Sequence, residues 1–480
     1  MIFLKFSEMI FIIVFLLLML APFVVMLIWR NKHPELRWDW QKIDTTSVHL
    51  SAGFLWGVAT SAHQVEGGCD NNNWSEWERG HDENGNPRIK NGQKSGVACD
   101  HWNRYNEDIA LMQELGVKAY RFSVEWSKIE LHEGHFDLAA IRHYREVCDA
   151  LLAAGIKPVV TLHHFTHPIW FERRGAFERE ENIPLFMRFC EFVFRELHEK
   201  VHLWCTINEP EVYATQGYFR GEFPPGKKDP QLTGIVLKNL LEAHTQVYHA
   251  LKKMPGGNQA QIGLVKNIFQ LDPYRRWHWL DWALSRQLNH VFNDCILQFF
   301  KTGHFKFKIS RMAKVRHFNA GARRAMDFIG LNYYSHLHVK FRWNPPGFFS
   351  LAHRPDEIMT DMIYPIYAEG LYRAIKTVAS LNVRIYITEN GIADAKDDRR
   401  GLFIRRYLYA LSRAIKDGYD VRGYFYWSLI DNFEWAEGYD MKFGLFEINF
   451  QTQERKLRKG AENFVKVAKT TCQRTMSVAC

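Results

Sequence analysis

The chain has 480 residues, of which 24% are charged and 15% are aromatic, and its formal net charge is +9 at pH 7. A chain of this length can bury a large core, either as one α/β barrel or as two or three domains. Its basic residues are spread out and mixed with acidic ones, which excludes the basic footprint of a nucleic-acid-binding protein. We therefore expect no nucleic-acid partner.

The N-terminus has a composition of its own. The stretch 9–29 carries no charged residue and is almost entirely apolar, and it is long enough to cross a bilayer as a helix. A cleaved signal peptide is the alternative, but its apolar core would be shorter and would end at a small-residue cleavage site. We predict an uncleaved transmembrane anchor over residues 1–30, a juxtamembrane spacer over 31–52, one folded domain over 53–470 and a tail over 471–480.

The charges that flank this stretch indicate its orientation. Lys5 is the only basic side chain before it, and four basic side chains follow it: Arg30, Lys32, Arg37 and Lys42. Because basic residues beside a membrane helix stay on the cytoplasmic side, we expect a single-pass membrane protein whose large domain is cytoplasmic. The eight scattered cysteines agree with reduced core thiols, since none forms a Cys-x-x-Cys pair. The glycosylation sequon Asn73-Trp-Ser75 opposes this view, because it has meaning only in a secretory route.

From about residue 53 onward, short apolar runs alternate with longer amphipathic segments. The predicted strands are 54–60, 119–123, 158–163, 203–208, 261–265, 328–332, 385–389 and 424–427. The predicted helices between them include 105–115, 140–154, 184–200, 237–253 and 404–417. Gly116, Gly155 and Gly418 follow three of these helices, where C-capping glycines are expected. Eight strands with helices between them predict a single (β/α)8 TIM barrel.

In such a barrel, the functional side chains lie at the C-terminal ends of the strands. Two strand ends carry a carboxylate beside an amide, Asn208-Glu209-Pro210 after the fourth strand and Glu389-Asn390-Gly391 after the seventh. Pro210 cannot donate to the sheet and ends its strand, and Gly391 permits a sharp exit. One glutamate at a strand end is most often a cap or a surface charge, but two in matching positions indicate a catalytic pair.

The other strand ends supply amides, a guanidinium, imidazoles and aromatic rings, except that the fifth strand end offers nothing that can be assigned. These residues are Gln64, Glu66, Arg121, Glu125, His163, His164, Asn332, Tyr333, Tyr334, Trp427, Glu434 and Trp435. Such a set suits a neutral polyol with apolar ring faces. It suits a phosphate poorly, because the chain has no glycine-rich phosphate loop.

Together these motifs resemble glycoside hydrolase family 1, the β-glucosidase family of retaining enzymes. The similarity runs from about Phe54 to Phe450, with motifs at Phe54–Gly67, Tyr120–Ser123, Thr206–Pro210, Ile387–Gly391 and Trp427–Trp435. The resemblance implies hydrolysis of β-D-glucosides or related neutral β-glycosides through a covalent glycosyl-enzyme intermediate. Two alternatives stay open: a transglycosidase acting on amphiphilic or lipid glycosides, and a catalytically inactive glycan-binding relative.

The resemblance also implies a role for each motif residue. Glu209 matches the general acid/base and Glu389 the nucleophile, two carboxyls that a retaining enzyme needs about 5–5.5 Å apart. Arg121 and Tyr334 match the groups that orient the nucleophile and keep it ionised. The residues that match the sugar-binding pocket are Gln64, His164, Asn208, Trp427, Glu434 and Trp435. We expect an anionic Glu434 to accept hydrogen bonds from sugar hydroxyls and to repel a 6-phosphate.

No metal or other cofactor is expected. The histidine pairs His132/His135, His163/His164 and His336/His338 lack an acidic or cysteine partner at zinc spacing.

The chain departs from the family pattern at two motifs, Thr166-His167-Pro168 in place of Asp-Leu-Pro and Gly175-Ala176-Phe177 in place of Gly-Gly-Trp. We expect both departures to reshape the rim of the site and with it the leaving-group preference.

The segment Lys340–Leu351 follows the sixth strand and is rich in aromatic residues, which are Phe341, Trp343, Phe348 and Phe349. Two interpretations are open. The rings fold back onto the barrel as a cover, or they form an apolar landing for an amphiphilic aglycone presented by the same membrane.

Overall fold

The structure is a computed structural model that describes residues 2–46, 48, 50, 53–344 and 347–478, with side chains described between residues 8 and 470. Eight parallel strands close into a barrel, each pairing with the next and the last with the first. They are β1 (Leu55–Ala59), β2 (Ala119–Ser123), β3 (Lys157–His163), β4 (Leu203–Asn208), β5 (Gln261–Asn267), β6 (Phe328–Asn332), β7 (Arg384–Asn390) and β8 (Val421–Trp427). The predicted (β/α)8 barrel is confirmed.

Helices surround the barrel and extend from both of its ends. The α-helices are Ile2–Lys32, Ala62–Val65, Asn73–Trp77, His101–Leu115, Trp126–Ile129, Leu138–Ala153, Ile169–Arg173, Ile183–Leu197, Pro210–Ala214, Pro230–Lys253, Trp279–Asn289, Cys295–Thr302, Ala368–Val378, Arg400–Lys416 and Glu462–Val478. Smaller sheets are formed by Glu130–His132 with His135–Phe136, by Gln270–Pro273 with His336–Phe341 and Phe349–Ala352, by His304–Ile309 with Ala313–Phe318, and by Phe446–Ile448 with Arg455–Leu457.

Local sequence explains where the long helices begin and end. Asp137 precedes the helix Leu138–Ala153, and its carboxylate accepts hydrogen bonds from the first free backbone N–H groups of that helix. The predicted C-capping glycines all adopt left-handed conformations, with φ of +78° at Gly116, +72° at Gly155 and +93° at Gly418. A left-handed residue ends a helix cheaply only when it has no Cβ, so these glycines fix the three helix ends.

The strand ends at the C-terminal mouth are irregular where polar side chains enter the site. The register between neighbouring strands shifts between Cys205 and Asn208, between Leu331 and Asn332, and between Ile387 and Asn390. Such irregularities bend a strand and turn its side chains to new directions. They therefore aim the ends of β4, β6 and β7 into the mouth.

The sequence suggested that Gly391 permits a sharp exit from the strand, but the structure shows that a glycine is required here by close packing against β8. A Cβ at this position would lie 1.6 Å from the backbone oxygen of Trp427. The glycine therefore lets the end of β7 pass directly against the end of β8, so that Glu389 and Trp427 border one mouth.

The N-terminal helix Ile2–Lys32 is the one described helix that is long and apolar enough to span a bilayer. Its side chains from residue 8 to residue 25 are exposed, apart from the half-buried Pro22. The residues after it pack onto the barrel: the backbone N–H of Trp38 donates to Glu369 at 2.8 Å, and the Tyr367 hydroxyl donates to the Leu36 carbonyl at 2.8 Å. The segment predicted as a spacer is thus docked where the structure describes it, while the domain boundaries stay predictions.

Six of the predicted core thiols are buried and free: Cys69, Cys99, Cys148, Cys190, Cys205 and Cys295. Cys480 and the side chain of Cys472 lie outside the described residues.

The sequon residue Asn73 is buried, and its amide donates to the Phe165 carbonyl and accepts from the His167 N–H, both at 3.1 Å. The fold therefore leaves no room for a glycan on Asn73.

Candidate active site

Glu389 lies at the end of β7 and is held by two donors. One carboxylate oxygen lies 2.5 Å from Arg121 Nη1 at the middle of β2, and the other accepts a hydrogen bond from the Tyr334 hydroxyl at 2.7 Å. Arg121 and Glu389 are both buried. Burial and the nearby negative charge of Glu389 raise the pKa of Tyr334 well above its usual range, so its hydroxyl remains a donor. These contacts fix the orientation of the Glu389 side chain.

Glu209 follows β4 and begins the short helix Pro210–Ala214. Its backbone adopts a left-handed conformation with φ of +45°, which is uncommon for a residue with a Cβ and is typical of functional sites. One carboxyl oxygen accepts hydrogen bonds from Asn332 Nδ2 at 2.7 Å and from Asn267 Nδ2 at 3.1 Å. Burial raises the pKa of Glu209 well above its usual range, and the neighbouring charge of Glu389 raises it further.

A chain of hydrogen bonds joins the two glutamates. Arg121 contacts Glu389 through Nη1 and donates from Nη2 to Asn208 Oδ1 at 2.6 Å. Asn332 Nδ2 lies 3.3 Å from the same Asn208 oxygen and donates to Glu209. The network gives the two carboxyls opposite surroundings, since Glu389 faces a cation and Glu209 faces neutral amides.

Gln64 and Glu434 form one polar wall. Gln64 Nε2 donates to the Phe433 carbonyl at 2.8 Å and lies 3.3 Å from Glu434 Oε2. Burial, reinforced by the charge of Glu389, raises the pKa of Glu434 to about 8, and hydrogen bonds from Trp427 and Gln64 only partly offset this. The expectation of an anionic Glu434 stays a prediction, and the raised pKa means that this carboxyl can donate to a hydroxyl when protonated as well as accept from one.

Three rings form an aromatic wall in the same mouth. His164 stacks against Trp427 with ring centroids 5.8 Å apart and against Trp435 at 6.1 Å. Burial lowers the pKa of His164 well below its usual range, so the ring is neutral. Its Nε2 faces the Asn208 amide nitrogen at 3.1 Å, whereas its buried Nδ1 has no partner. With Nε2 accepting from Asn208, Nδ1 of the neutral ring carries the proton.

Comparison with known proteins agrees with this geometry. The sequence matches the model of Glycosyl hydrolase family 1 over residues 46–472. Beta-glucosidase A of Thermotoga maritima is 34% identical over 426 residues, which cover 84% of this chain and 94% of that protein. Beta-glucosidase 47 of Arabidopsis thaliana is 30% identical, covering 87% of this chain and 85% of that protein. The chain belongs to glycosyl hydrolase family 1.

Solved structures of family 1 enzymes share the fold. A beta-glycosidase from Pyrococcus horikoshii superposes with a TM-score of 0.79 at 38% identity, covering 88% of this chain and 96% of that one. The beta-glucosidase from Thermotoga maritima in complex with glucoimidazole superposes with a TM-score of 0.81 at 31% identity and the same 88% coverage. The chain is accordingly a glycoside hydrolase of the β-glucosidase type.

The structure brings together the residues that the family 1 resemblance assigns to the site and adds three more. Two other strand-end candidates lie elsewhere, since Glu66 pairs with Lys128 at 2.9 Å and Glu125 accepts from Thr166. Asn267 and Asn332 both donate to Glu209. Thr388 Oγ1 donates to Asn332 Oδ1 at 2.7 Å, which fixes the Asn332 amide with its nitrogen toward Glu209. Asn332 was noted only as a strand end, and Asn267 follows a strand whose predicted end was Val265.

A buried ion pair supports the fifth strand end. Lys266 Nζ lies 3.1 Å from Glu211 Oε1, and the same carboxylate accepts from the Asn267 N–H at 2.7 Å. Both side chains are fully buried. The pair therefore joins the end of β5 to the helix Pro210–Ala214, which follows Glu209, and positions Asn267 against Glu209.

Both departures from the family 1 pattern lie beneath the rim. Thr166 is buried and donates to Glu125 Oε2 at 2.9 Å. His167, Ala176 and Phe177 are also fully buried. These residues lie in the packing below the surface, and the expectation that the two motifs change the leaving-group preference stays a prediction.

The histidine pair His336/His338 has an acidic neighbour that the local spacing conceals. His336 Nε2 lies 2.7 Å from Glu357 Oε1, and His336 Nδ1 lies 3.3 Å from Asp272 Oδ2. Hydrogen bonds to these two carboxylates, against the opposing effect of burial, raise the pKa of His336. The His336 ring therefore bridges two carboxylates that are far from it in the sequence.

Proposed function

We propose that this chain is a membrane-anchored retaining β-glycosidase that hydrolyses β-D-glucosides or related neutral β-glycosides, with Glu389 as nucleophile and Glu209 as acid/base. One observation carries the proposal: of two neighbouring buried glutamates, Glu389 faces Arg121 and Tyr334, while the pKa of Glu209 is raised. A retaining glycosidase needs one ionised and one protonated carboxyl at the same bond.

The first step forms a covalent intermediate. The Glu389 carboxylate attacks the anomeric carbon while Glu209 gives its proton to the leaving oxygen, so the alcohol departs and a glycosyl ester remains. Asn208 lies beside the attacking carboxylate, since Arg121 contacts both side chains, and Asn208 also donates to His164 Nε2 at 3.1 Å.

The second step depends on the loss of one charge. Once Glu389 is esterified, it no longer repels an ionised Glu209, so the pKa of Glu209 falls. Glu209 then removes a proton from water, and the resulting hydroxide attacks the anomeric carbon and releases Glu389. The sugar is released with its original β configuration. The similar proteins are named as beta-glucosidases. Those names give no support to the two alternatives, a transglycosidase and a catalytically inactive glycan-binding protein.

Stereochemistry tests this proposal. The purified full-length chain in detergent is given 4-nitrophenyl β-glucoside, and the first sugar released is followed by proton NMR. We expect β-glucose before mutarotation. Release of α-glucose would contradict the retaining mechanism, and an absence of turnover across a panel of aryl β-glycosides would contradict the proposed activity.

A second prediction concerns phosphorylated sugars. A 6-phosphate would bring negative charge toward Glu434, whose pKa is already raised by burial and by the charge of Glu389. We expect the kcat/KM for 4-nitrophenyl β-glucoside to exceed that for its 6-phosphate by about a hundredfold or more, because an unpaired charge is costly to bury. Equal kcat/KM values for the two substrates would show that a cation serves this subsite.

We also propose that the barrel lies on the cytoplasmic side of the membrane. The exposed apolar helix and the basic residues that follow it support this topology. In sealed right-side-out cells, an epitope at the C-terminus should resist external protease and become sensitive after permeabilisation. Cleavage of the epitope in intact cells would place the barrel outside.

A further inference from the structure

The end of the N-terminal helix is fixed against a surface that is rich in exposed aromatic residues. Arg276 Nη2 donates to the backbone carbonyl of His33 at 2.6 Å, and the His33 ring lies 6.5 Å from that of Trp282. Trp277 follows Arg276 and is 65% exposed. The helix thus leaves the barrel beside an exposed tryptophan.

Ring contacts continue from this point to the aromatic segment after β6. His278 stacks on Phe341 at 6.1 Å, Phe341 lies 5.9 Å from Trp343, and Trp343 lies 6.3 Å from Phe348. Trp343 is 83% exposed. The sequence left two interpretations of this segment, a cover folded onto the barrel or an apolar landing for an aglycone. The first is wrong for Trp343, because its ring is exposed to solvent.

We call the exposed side chains of Trp277, Trp343 and Phe348 the aromatic patch. Cations border it: Lys340 Nζ lies 4.8 Å above the Tyr274 ring, and Arg342 donates to Ser350 at 2.7 Å. Exposed aromatic rings beside lysine and arginine are typical of the membrane–water interface.

The aromatic patch lies on segments that leave the carboxyl ends of β5 and β6, which is the end of the barrel that holds the active site. The same excursion from β6 includes Tyr364, whose ring lies 6.4 Å from that of Tyr334, and Ile363, which is 71% exposed. The border of the mouth and the aromatic segment therefore belong to the same connection, which runs from β6 to the helix Ala368–Val378.

Ion pairs hold this surface rigidly against the end of the N-terminal helix. Arg354 Nη1 contacts Glu35 at 2.5 Å, and its backbone N–H donates to Glu357, the carboxylate that also binds His336. A flexible linker would let the barrel turn freely, whereas this docking fixes which surface faces the bilayer.

We infer that the aromatic patch inserts into the bilayer that holds the N-terminal helix, so that the active-site mouth opens at the lipid surface and takes glycosides whose aglycone is a lipid embedded in that bilayer. This inference rests on the proposed anchor and the proposed glycosidase activity. The occupant of the patch is the lipid surface, because the helix that ends beside the patch has the length and exposure of a membrane span.

The test uses the full-length chain in lipid nanodiscs with two substrates, a fluorescent β-glucosyl lipid in the bilayer and 4-nitrophenyl β-glucoside in water. The variant Trp277→Ser/Trp343→Ser removes the two most exposed rings of the patch. We expect the ratio of lipid to soluble kcat/KM to fall by about tenfold or more, because bilayer contact of two indoles is lost.

The matched control is Val97→Ser/Leu138→Ser, which removes two apolar side chains that are 62% and 61% exposed. They follow β1 and β2, across the barrel from the patch, so the ratio should not change. An unchanged ratio in the patch variant, or an equal fall in the control, would overturn the inference. Turnover of the soluble but not the lipid substrate by the unmodified chain would also overturn it while leaving the proposed function intact, whereas failure with both would overturn the proposed function.

Discussion

Glu389→Gln is expected to abolish turnover of every glycoside, lowering kcat by about four to six orders of magnitude, because no nucleophile remains. Glutamine keeps the size of the side chain, and its carbonyl can still accept from Tyr334. The loss therefore reports chemistry more than folding. Steady-state rates with aryl β-glucosides of different leaving groups measure it.

The matched control is Glu107→Gln, an exposed glutamate paired with Arg104 on the outer helix His101–Leu115. This variant should keep the full kcat. A second variant, Glu389→Ala, gives a chemical readout because it leaves space for added azide. With an activated aryl β-glucoside, azide should attack the anomeric carbon from the side that Glu389 occupied and yield the α-glucosyl azide. A Glu389→Gln enzyme with more than a few per cent of the original kcat would contradict the assignment.

Glu209→Gln is expected to produce a loss that depends on the leaving group. For alkyl glucosides, whose leaving oxygen must be protonated, kcat/KM should fall by about two to four orders of magnitude. For 2,4-dinitrophenyl glucoside, which departs without a proton, kcat/KM should fall by less than about tenfold. Equal losses for both substrates would contradict the role of Glu209 as the acid.

The pH profile of kcat/KM tests the same residue. Glu209 must be protonated to act as an acid, and its pKa is raised, so the acid function is complete at low pH and is lost as the pH rises through that pKa. With an alkyl glucoside, whose leaving oxygen must be protonated, the alkaline limb should disappear from the residual activity of Glu209→Gln. Since the pKa of Glu434 is raised to about 8, Glu434→Gln is the necessary comparison, and it should retain the limb that belongs to Glu209.

The barrel and the catalytic pair could be predicted from sequence because their signals are local. Each strand is a short apolar run, and Glu209 and Glu389 each follow such a run beside an asparagine. The end of β5 could not be predicted in this way, because Lys266 interrupts the apolar pattern. Only the fold shows that Lys266 is buried against Glu211, which allows the strand to continue to Asn267.

Non-local contacts account for the remaining differences. The raised pKa of Glu434 arises from burial and from the charge of Glu389 at the end of β7. The close approach that requires glycine at position 391 involves the carbonyl of Trp427. The docking of the segment after the N-terminal helix depends on Glu369, which lies far away in the sequence. No periodicity or short motif encodes contacts of these kinds.

The central claim is that Glu389 becomes covalently glycosylated. Trapping the glycosyl-enzyme intermediate is the most direct test of this claim. A 2-deoxy-2-fluoro-β-glucoside with an activated leaving group slows both chemical steps, and the good leaving group lets the intermediate accumulate. After protease digestion, mass spectrometry should find the fluoroglucosyl group on the peptide that contains β7, at Glu389. A label on Glu209, or an enzyme that hydrolyses the reagent and never carries the label, would contradict the account.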